Sequence, residues 1–331
     1  MIENYLPSGH KIMDTAIEGG QKTSYACGLA VDIASGHCHL GLPAQQGKVM
    51  IVDEETPTAD LENWLDRFAL GLGYGSYKDD LPIYVFSKLG FRFGRKELLD
   101  KLIEKVIEIQ PSLIRMESLI AMLPGGRQGI VENDSGLGVT IRDDLEAILN
   151  ACPKGTSLML SAHSKKPCAD FSLDDFRKAN MVSLVRGHGS IVGQGCDTGI
   201  AIKQVSKYPE PTIFVVLIKP RRRAIPIKEL WVELKEAEYG KGWARLEKIA
   251  PTVPKPSLLE RQLYSYLHNE GRTTESKLRN AFSLHPAKAI YNAVMVGIER
   301  GIILRTPNGQ YYATTCPTMG IEVIADAIEV G

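Results

Sequence analysis

No stretch of the 331-residue sequence approaches the roughly 20 consecutive apolar residues that a bilayer-spanning helix needs. Its opening, MIENYLPSGHK, carries no apolar signal-peptide core. The expectation is a cytoplasmic protein, neither inserted in a membrane nor secreted. The six cysteines (Cys27, Cys38, Cys152, Cys168, Cys196, Cys316) form no CxxC pair, which argues against a zinc knuckle or a disulfide framework and suits a reducing compartment. Charge of one sign is missing too. Thirty-nine Lys+Arg balance 39 Asp+Glu, so any nucleic-acid contact must come from local patches. Repeats and low-complexity tracts are absent.

What is there is an ordinary globular composition, 44% hydrophobic and 24% charged, long enough to bury a full core. Up to about residue 235, apolar runs alternate with amphipathic stretches, the pattern of an α/β domain with a mostly parallel central sheet. Strands are expected at Lys11–Ile17, Lys48–Asp53, Pro82–Ser87, Ser112–Glu117, Ser157–Ala162, Gly199–Ser206 and Thr212–Ile218. Helical spacing marks Thr23–Ser35, Ala59–Gly73, Arg95–Ile109 and Ile141–Ala151.

The text APTVPKPS then puts three prolines into eight residues, which neither a helix nor a central strand accepts. The sequence therefore divides into a domain at 1–249, a linker at 250–257 and a small domain at 258–331. The last reads as three helices (Ser257–Asn269, Thr274–Phe282, His285–Arg300) and a hairpin turning at Asn308-Gly309, the layout of a winged helix-turn-helix. Residues 251–320 hold eight Lys/Arg against four Asp/Glu, a local excess of basic charge in a neutral chain.

The decisive segment is Ala16-Ile17-Glu18-Gly19-Gly20-Gln21-Lys22-Thr23-Ser24, where a strand runs through glycines into Lys-Thr and a helix. Phosphate binding needs this arrangement. Glycines let backbone N–H groups turn toward the anion, a helix N-terminus adds its dipole, lysine reaches the terminal phosphates and a hydroxyl holds Mg²⁺. The match to GxxxxGK[ST] is incomplete, because Ala16 and Gln21 stand where glycines are expected, and a plain Gly-Gly turn before a capped helix is the competing interpretation. Three later strands also end in polar groups: VMIVDEE at Glu54 and Glu55, LIRMESL at Glu117, and LMLSAH at His163. Such groups point into the crevice where ligands of open α/β sheets bind. The triplet His37-Cys38-His39 reads as the exit of the first helix, since adjacent residues diverge and no second cluster completes a tetrahedral site.

In this order the segments GGQKTSYACGLAVDIASG, VMIVDEE, PSLIRMESLIAML, LMLSAHSKK and IKPRRR resemble the RecA-like P-loop ATPases over roughly residues 10–225. Within them the likeness is to the branch of RepA-type replicative helicases and related phage and plasmid ATPases. The resemblance implies ATP and Mg²⁺ as cofactors. Gly19, Gly20, Gln21, Lys22, Thr23 and Ser24 would form the nucleotide site, with Lys22 on the β/γ-phosphates and Thr23 on Mg²⁺. Glu55 would activate the attacking water, with Glu54 its neighbouring substitute. Glu117 takes the metal position usually held by Asp. His163 takes the position that senses the γ-phosphate, or is a strand-end histidine without a role. Lys219 and Arg221 match a Lys-x-Arg finger reaching a neighbour's ATP site, or form a solvated basic turn.

Fingers acting in trans imply a homo-oligomer, with a hexamer favoured. The resemblance also implies loops facing a central channel, here Pro124–Val139 and Ser164–Ser190, whose Arg127, Lys165, Lys166 and Arg186 would track single-stranded DNA. In the small domain, His285, Lys288 and Tyr291 would face duplex DNA, unless the winged helix serves instead as a protein-docking module. Three functions stay open: an ATP-driven DNA motor or loader serving a plasmid, phage or other mobile element, a nucleotide-switched DNA-binding regulator, and a recombination mediator.

Overall fold

Segments of five to ten residues, most of them apolar runs, become the strands of one nine-stranded sheet. In the computed structural model these are β1 (Lys11–Ala16), β2 (Val49–Asp53), β3 (Ile83–Ser87), β4 (Leu113–Glu117), β5 (Ser157–His163), β6 (Thr198–Ser206), β7 (Thr212–Pro220), β8 (Glu229–Glu238) and β9 (Lys241–Ile249). The structure describes residues 2, 5–17, 19–124, 135–165, 171–185, 195–206, 210–220, 227–238, 241–251, 258–299, 303–306 and 308–313. Of the predicted site residues, Arg127, Lys166, Arg186 and Arg221 lie outside them.

Spatial order is β3-β2-β4-β5-β1-β6-β7-β8-β9. The first six run parallel and the last three join antiparallel. β2 and β4 are buried along their whole length, which is why they read as continuous apolar runs. The two-residue pleat then sorts side chains between layers. Val49, Ile51, Leu113 and Met159 pack on one face under α1 (Lys22–Ser35) and α2 (Thr58–Gly71). Met50, Val52, Ile114, Met116, Leu158 and Leu160 pack on the other, under α4 (Lys96–Ile109) and α5 (Ser135–Asn150). A short helix, α3 (Tyr77–Asp80), lies between α2 and β3.

The expected strands and helices of residues 11–220 appear with ends shifted by a few residues. One shift matters for function: α5 starts at Ser135, so Ser135–Val139 is helix and not channel loop. Gly136 and Gly138 lower helix propensity there, and the sequence therefore reads as a turn. The second expected channel loop also contains short helices, α6 (Leu173–Lys178) and α7 (Met181–Leu184). Ser172 and Asp175 close a capping box on α6, a signal that was present in the sequence. Strands β8 and β9 are additional to the sequence expectation. Their alternation of apolar with charged residues suits an antiparallel edge with one wet face. β9 packs over α1 so closely that a Cβ on Gly28 would stand 2.7 Å from Leu246 Cδ1.

The chain forms two compact units, Met1–Thr252 and Val253–Gly331. The second contains α8 (Leu258–Glu270), α9 (Glu275–Ala281), α10 (Ala287–Glu299) and a hairpin of β10 (Ile303–Arg305) and β11 (Tyr311–Ala313). Leu263, Leu267, Leu278, Ile290, Val294, Ile303 and Tyr311 make its core. Gly309 has φ 75°, the left-handed turn conformation glycine adopts without cost. His285 and Pro286 precede α10 and are not part of it, since proline's missing N–H is tolerated only at a helix start. Among the described residues no helix is long and apolar enough to cross a membrane.

Candidate nucleotide site

β1 delivers the chain to a glycine turn at the carboxyl rim of the parallel strands, the rim at which open α/β sheets bind ligands. Gly20 N donates to Ile17 O at 2.8 Å, and a Cβ on Gly20 would stand 2.7 Å from that same oxygen. Only glycine fits. Gln21, at the N-cap of α1, has φ 66° and ψ 18°. This left-handed conformation explains why the motif asks for glycine here; a side chain costs about 1–2 kcal/mol. Ser24 Oγ offsets part of that cost by donating to Gln21 Oε1 at 2.8 Å and Gln21 O at 3.0 Å. The glutamine side chain is thereby folded back onto the helix.

The first-turn amides of α1 have no helical acceptor, and that turn holds no acidic side chain to neutralise its partial positive charge. Around it opens a cavity of about 340 Å³ whose lining includes Gly19, Gly20, Gln21, Lys22, Thr23, Glu55, Glu117 and His163, with Thr56 and Trp64 also on the wall. A larger cavity of about 460 Å³ lies behind α1, but its Asp32 is spent on His39, 2.7 Å away. His39 is a buried histidine against Tyr5.

Lys22 Nζ stands 2.9 Å from Glu117 Oε1. The contact is a buried ion pair that holds the ammonium against the carboxylate. Burial favours the neutral amine, yet Glu117 and Asp14 outweigh it and raise the lysine above its ordinary value. Burial likewise works against ionised Glu117, but Lys22 and Arg115 hold it below the usual carboxylate range. Arg115 Nη2 donates to Glu117 Oε2 and Nη1 to Asp14 Oδ2 at 3.4 Å, while Ser161 Oγ donates to Asp14 Oδ1 at 2.6 Å. Sequence reasoning missed Arg115, Asp14 and Ser161. The available signal was two opposite charges, each set in the middle of an apolar strand.

The paired carboxylates after β2 divide their work. Glu54 turns away and accepts from Gly90 N (3.0 Å), Phe91 N (2.9 Å) and Arg92 Nη1 (3.3 Å), clamping the segment after β3. Glu55 faces the cavity, with His163 Nε2 3.1 Å from its Oε2. Burial raises the Glu55 carboxyl, but the hydrogen bond with His163 and the charges of His163 and Lys22 hold it at about 2. Asp53 organises the turn between them, its Oδ1 accepting from Glu55 N at 2.8 Å and Thr56 N at 2.7 Å.

The predicted residues outside this cluster stand apart from it. Lys219 pairs with Gly199 across β7 and β6, and Gly199 with Met13 of β1. Ala16, the end of β1, is three residue steps beyond Met13, so Lys219 lies roughly 10 Å back along the strands from the end of β1 that leads into the glycine turn. β7 runs away from the phosphate rim. The Lys219 ammonium donates to Phe176 O (2.5 Å) and Arg177 O (2.9 Å), capping α6. Lys165 Nζ is 3.4 Å from Val182 O in α7. In the second unit Lys288 and Tyr291 are exposed on α10, where Ile290 and Val294 are buried, and His285 is exposed just before it.

The donor set fits a triphosphate with Mg²⁺: an open helix turn, a buried ammonium at the cleft, the partly buried Thr23 and the Glu117 carboxylate paired with Lys22. No curated protein matches the chain. The model of the AAA domain family matches residues 1–167, a span that includes Lys22, Glu55, Glu117 and His163. With just over half of its length matched and its polar strand ends gathered around a glycine turn, the chain belongs to the AAA domain family of P-loop ATPases.

Proposed function

We propose that the chain is an ATP-hydrolysing, ring-forming motor or loader on DNA, of the RepA-type branch of RecA-like ATPases, serving replication of a plasmid, phage or other mobile element. One observation carries the reading. A helix start and three different strand ends bring Lys22, Glu55, Glu117 and His163 to a single cleft beside the glycine turn.

In this reading the first-turn amides of α1 and Lys22 bind the phosphates, and the Thr23 hydroxyl and Glu117 carboxylate hold Mg²⁺. When bound, the metal neutralises charge on the phosphate oxygens. Glu55 accepts the proton of the attacking water. His163 ends β5 and leads directly into residues 164–190, so the group that restrains Glu55 also begins the segment assigned to DNA. β7 leaves the sheet far from its own glycine turn, which supports Arg221 acting on a neighbouring copy and hence a homo-oligomer, a hexamer in the ring reading. The three helices and hairpin of the second unit support a winged helix, with Lys288, Tyr291 and His285 toward duplex DNA.

A nucleotide-switched regulator with little turnover is the second reading. It is favoured by the Glu55–His163 contact, because a carboxyl held at about 2 is a poor proton acceptor. ATP turnover measured with and without single-stranded DNA, alongside particle mass with nucleotide bound, separates them. A motor shows stimulated turnover on a multimeric particle. Unstimulated, slow turnover on a particle that still binds nucleotide leaves the switch.

A further inference from the structure

Beneath the phosphate loop, buried charges form a ladder across three neighbouring strands: Glu117 and Arg115 on β4, Ser161 on β5, Asp14 on β1. Asp14 and Ser161 are register partners, and Arg115 reaches over β5 to join Asp14 to Glu117. Arg115 is 3% exposed and Asp14 0%. Buried ion pairs of this kind add little stability over apolar side chains of similar volume, so packing does not explain the ladder.

We infer that Arg115 is a positioning residue that fixes the Glu117 carboxylate for the divalent cation and leaves Lys22 available to the triphosphate. The inference rests on the phosphate-site reading above. Arg115 ties Glu117 Oε2 from behind, so Oε1 is the oxygen turned to the cleft, where it meets Lys22. A glutamate is one methylene longer than the aspartate usual at such a position, and a rear tether takes up the added freedom. Two cations and two carboxylates balance in the ladder. When Lys22 engages a phosphate, Glu117 keeps a fixed partner, and Asp14 with Ser161 keeps the guanidinium from turning.

The test uses the full chain, a fluorescent ATP analogue and Mg²⁺ titration. Arg115→Met combined with Asp14→Asn removes the inner pair without orphaning either charge; Arg115→Lys keeps the charge but loses the fork. The double variant is expected to bind the analogue in EDTA within about threefold of the parent, while the Mg²⁺ concentration for half-maximal enhancement rises about tenfold or more. Arg115→Lys falls between. Equal losses in EDTA and Mg²⁺ mean a structural role and overturn the inference, as does an unchanged Mg²⁺ midpoint. If the double variant does not fold, a parental Mg²⁺ midpoint in Arg115→Lys overturns it alone. A parent chain whose analogue binding ignores Mg²⁺ and survives Lys22→Ala would instead remove the phosphate site itself.

Discussion

Lys22 and Glu117 neutralise each other across 2.9 Å, so the lysine that opens α1 and the carboxylate that ends β4 are a single buried pair. On the proposed reading, nucleotide binding would be an exchange of partners, in which the ammonium would turn from the carboxylate to a phosphate and the carboxylate would be freed to hold the metal.

Lys22→Ala should remove a charge-assisted contact of about 2–3 kcal/mol, on the order of 100-fold in nucleotide affinity. Equilibrium binding of a fluorescent ATP analogue measures it. Parental affinity in the variant would dismiss the phosphate-loop assignment.

Glu55→Gln should keep nucleotide affinity and slow hydrolysis about 10²–10⁴-fold. Glu54→Gln should do the opposite, keeping turnover and losing about 1–3 kcal/mol of stability as the amides of Gly90 and Phe91 lose a charged acceptor. Single-turnover hydrolysis and chemical unfolding, run on both variants, separate the roles. A hydrolysis defect in Glu54→Gln alone would reverse them.

The Glu55 carboxyl lies at about 2, below its ordinary 4.5. A depressed carboxyl adds stability that is complete above the unfolded value and is lost as pH falls through the folded one. His163→Ala should let the carboxyl climb back toward its ordinary range. Unfolding free energies of parent and variant should therefore differ above about pH 4.5 and converge toward pH 2. A gap that stays constant over this range would mean that His163 does not hold Glu55 ionised.

Arg221→Ala subunits and Glu55→Gln subunits, each inactive alone, should regain ATPase activity when mixed, because some boundaries then combine an intact base with an intact finger. Activity should appear within a few-fold of the statistical fraction of such boundaries. Mixed assemblies that form and stay silent would exclude action in trans.

Most of the sheet was legible because buried parallel strands are unbroken apolar runs, and the cleft because its side chains sit at their polar ends. What escaped has physical causes. β8 and β9 mix charge with apolar residues along a half-wet edge, without the continuous apolar run that marks β2 or β4. The roles of Glu54 and Glu55 differ only through a turn set by Asp53, which composition does not encode. Arg115 and Asp14 are 101 residues apart, and neither is intelligible without the other. Gln21 broke the motif on paper, whereas the backbone keeps the positive φ the motif exists to supply.

Arg115 and Glu117 share the α1 side of β4 because they are two residues apart, while Ile114 and Met116 fill the opposite layer. Inserting one residue ahead of them would swing both charges into the greasy layer beneath α4 and α5 and bring methyl groups up to the nucleotide. Such a frameshift of the pleat would destroy the protein before it could merely slow the enzyme. Register along this strand therefore serves the core and the cleft at once: a slip ruins both, whereas a point substitution at either charge can alter the cleft and leave the layers in place.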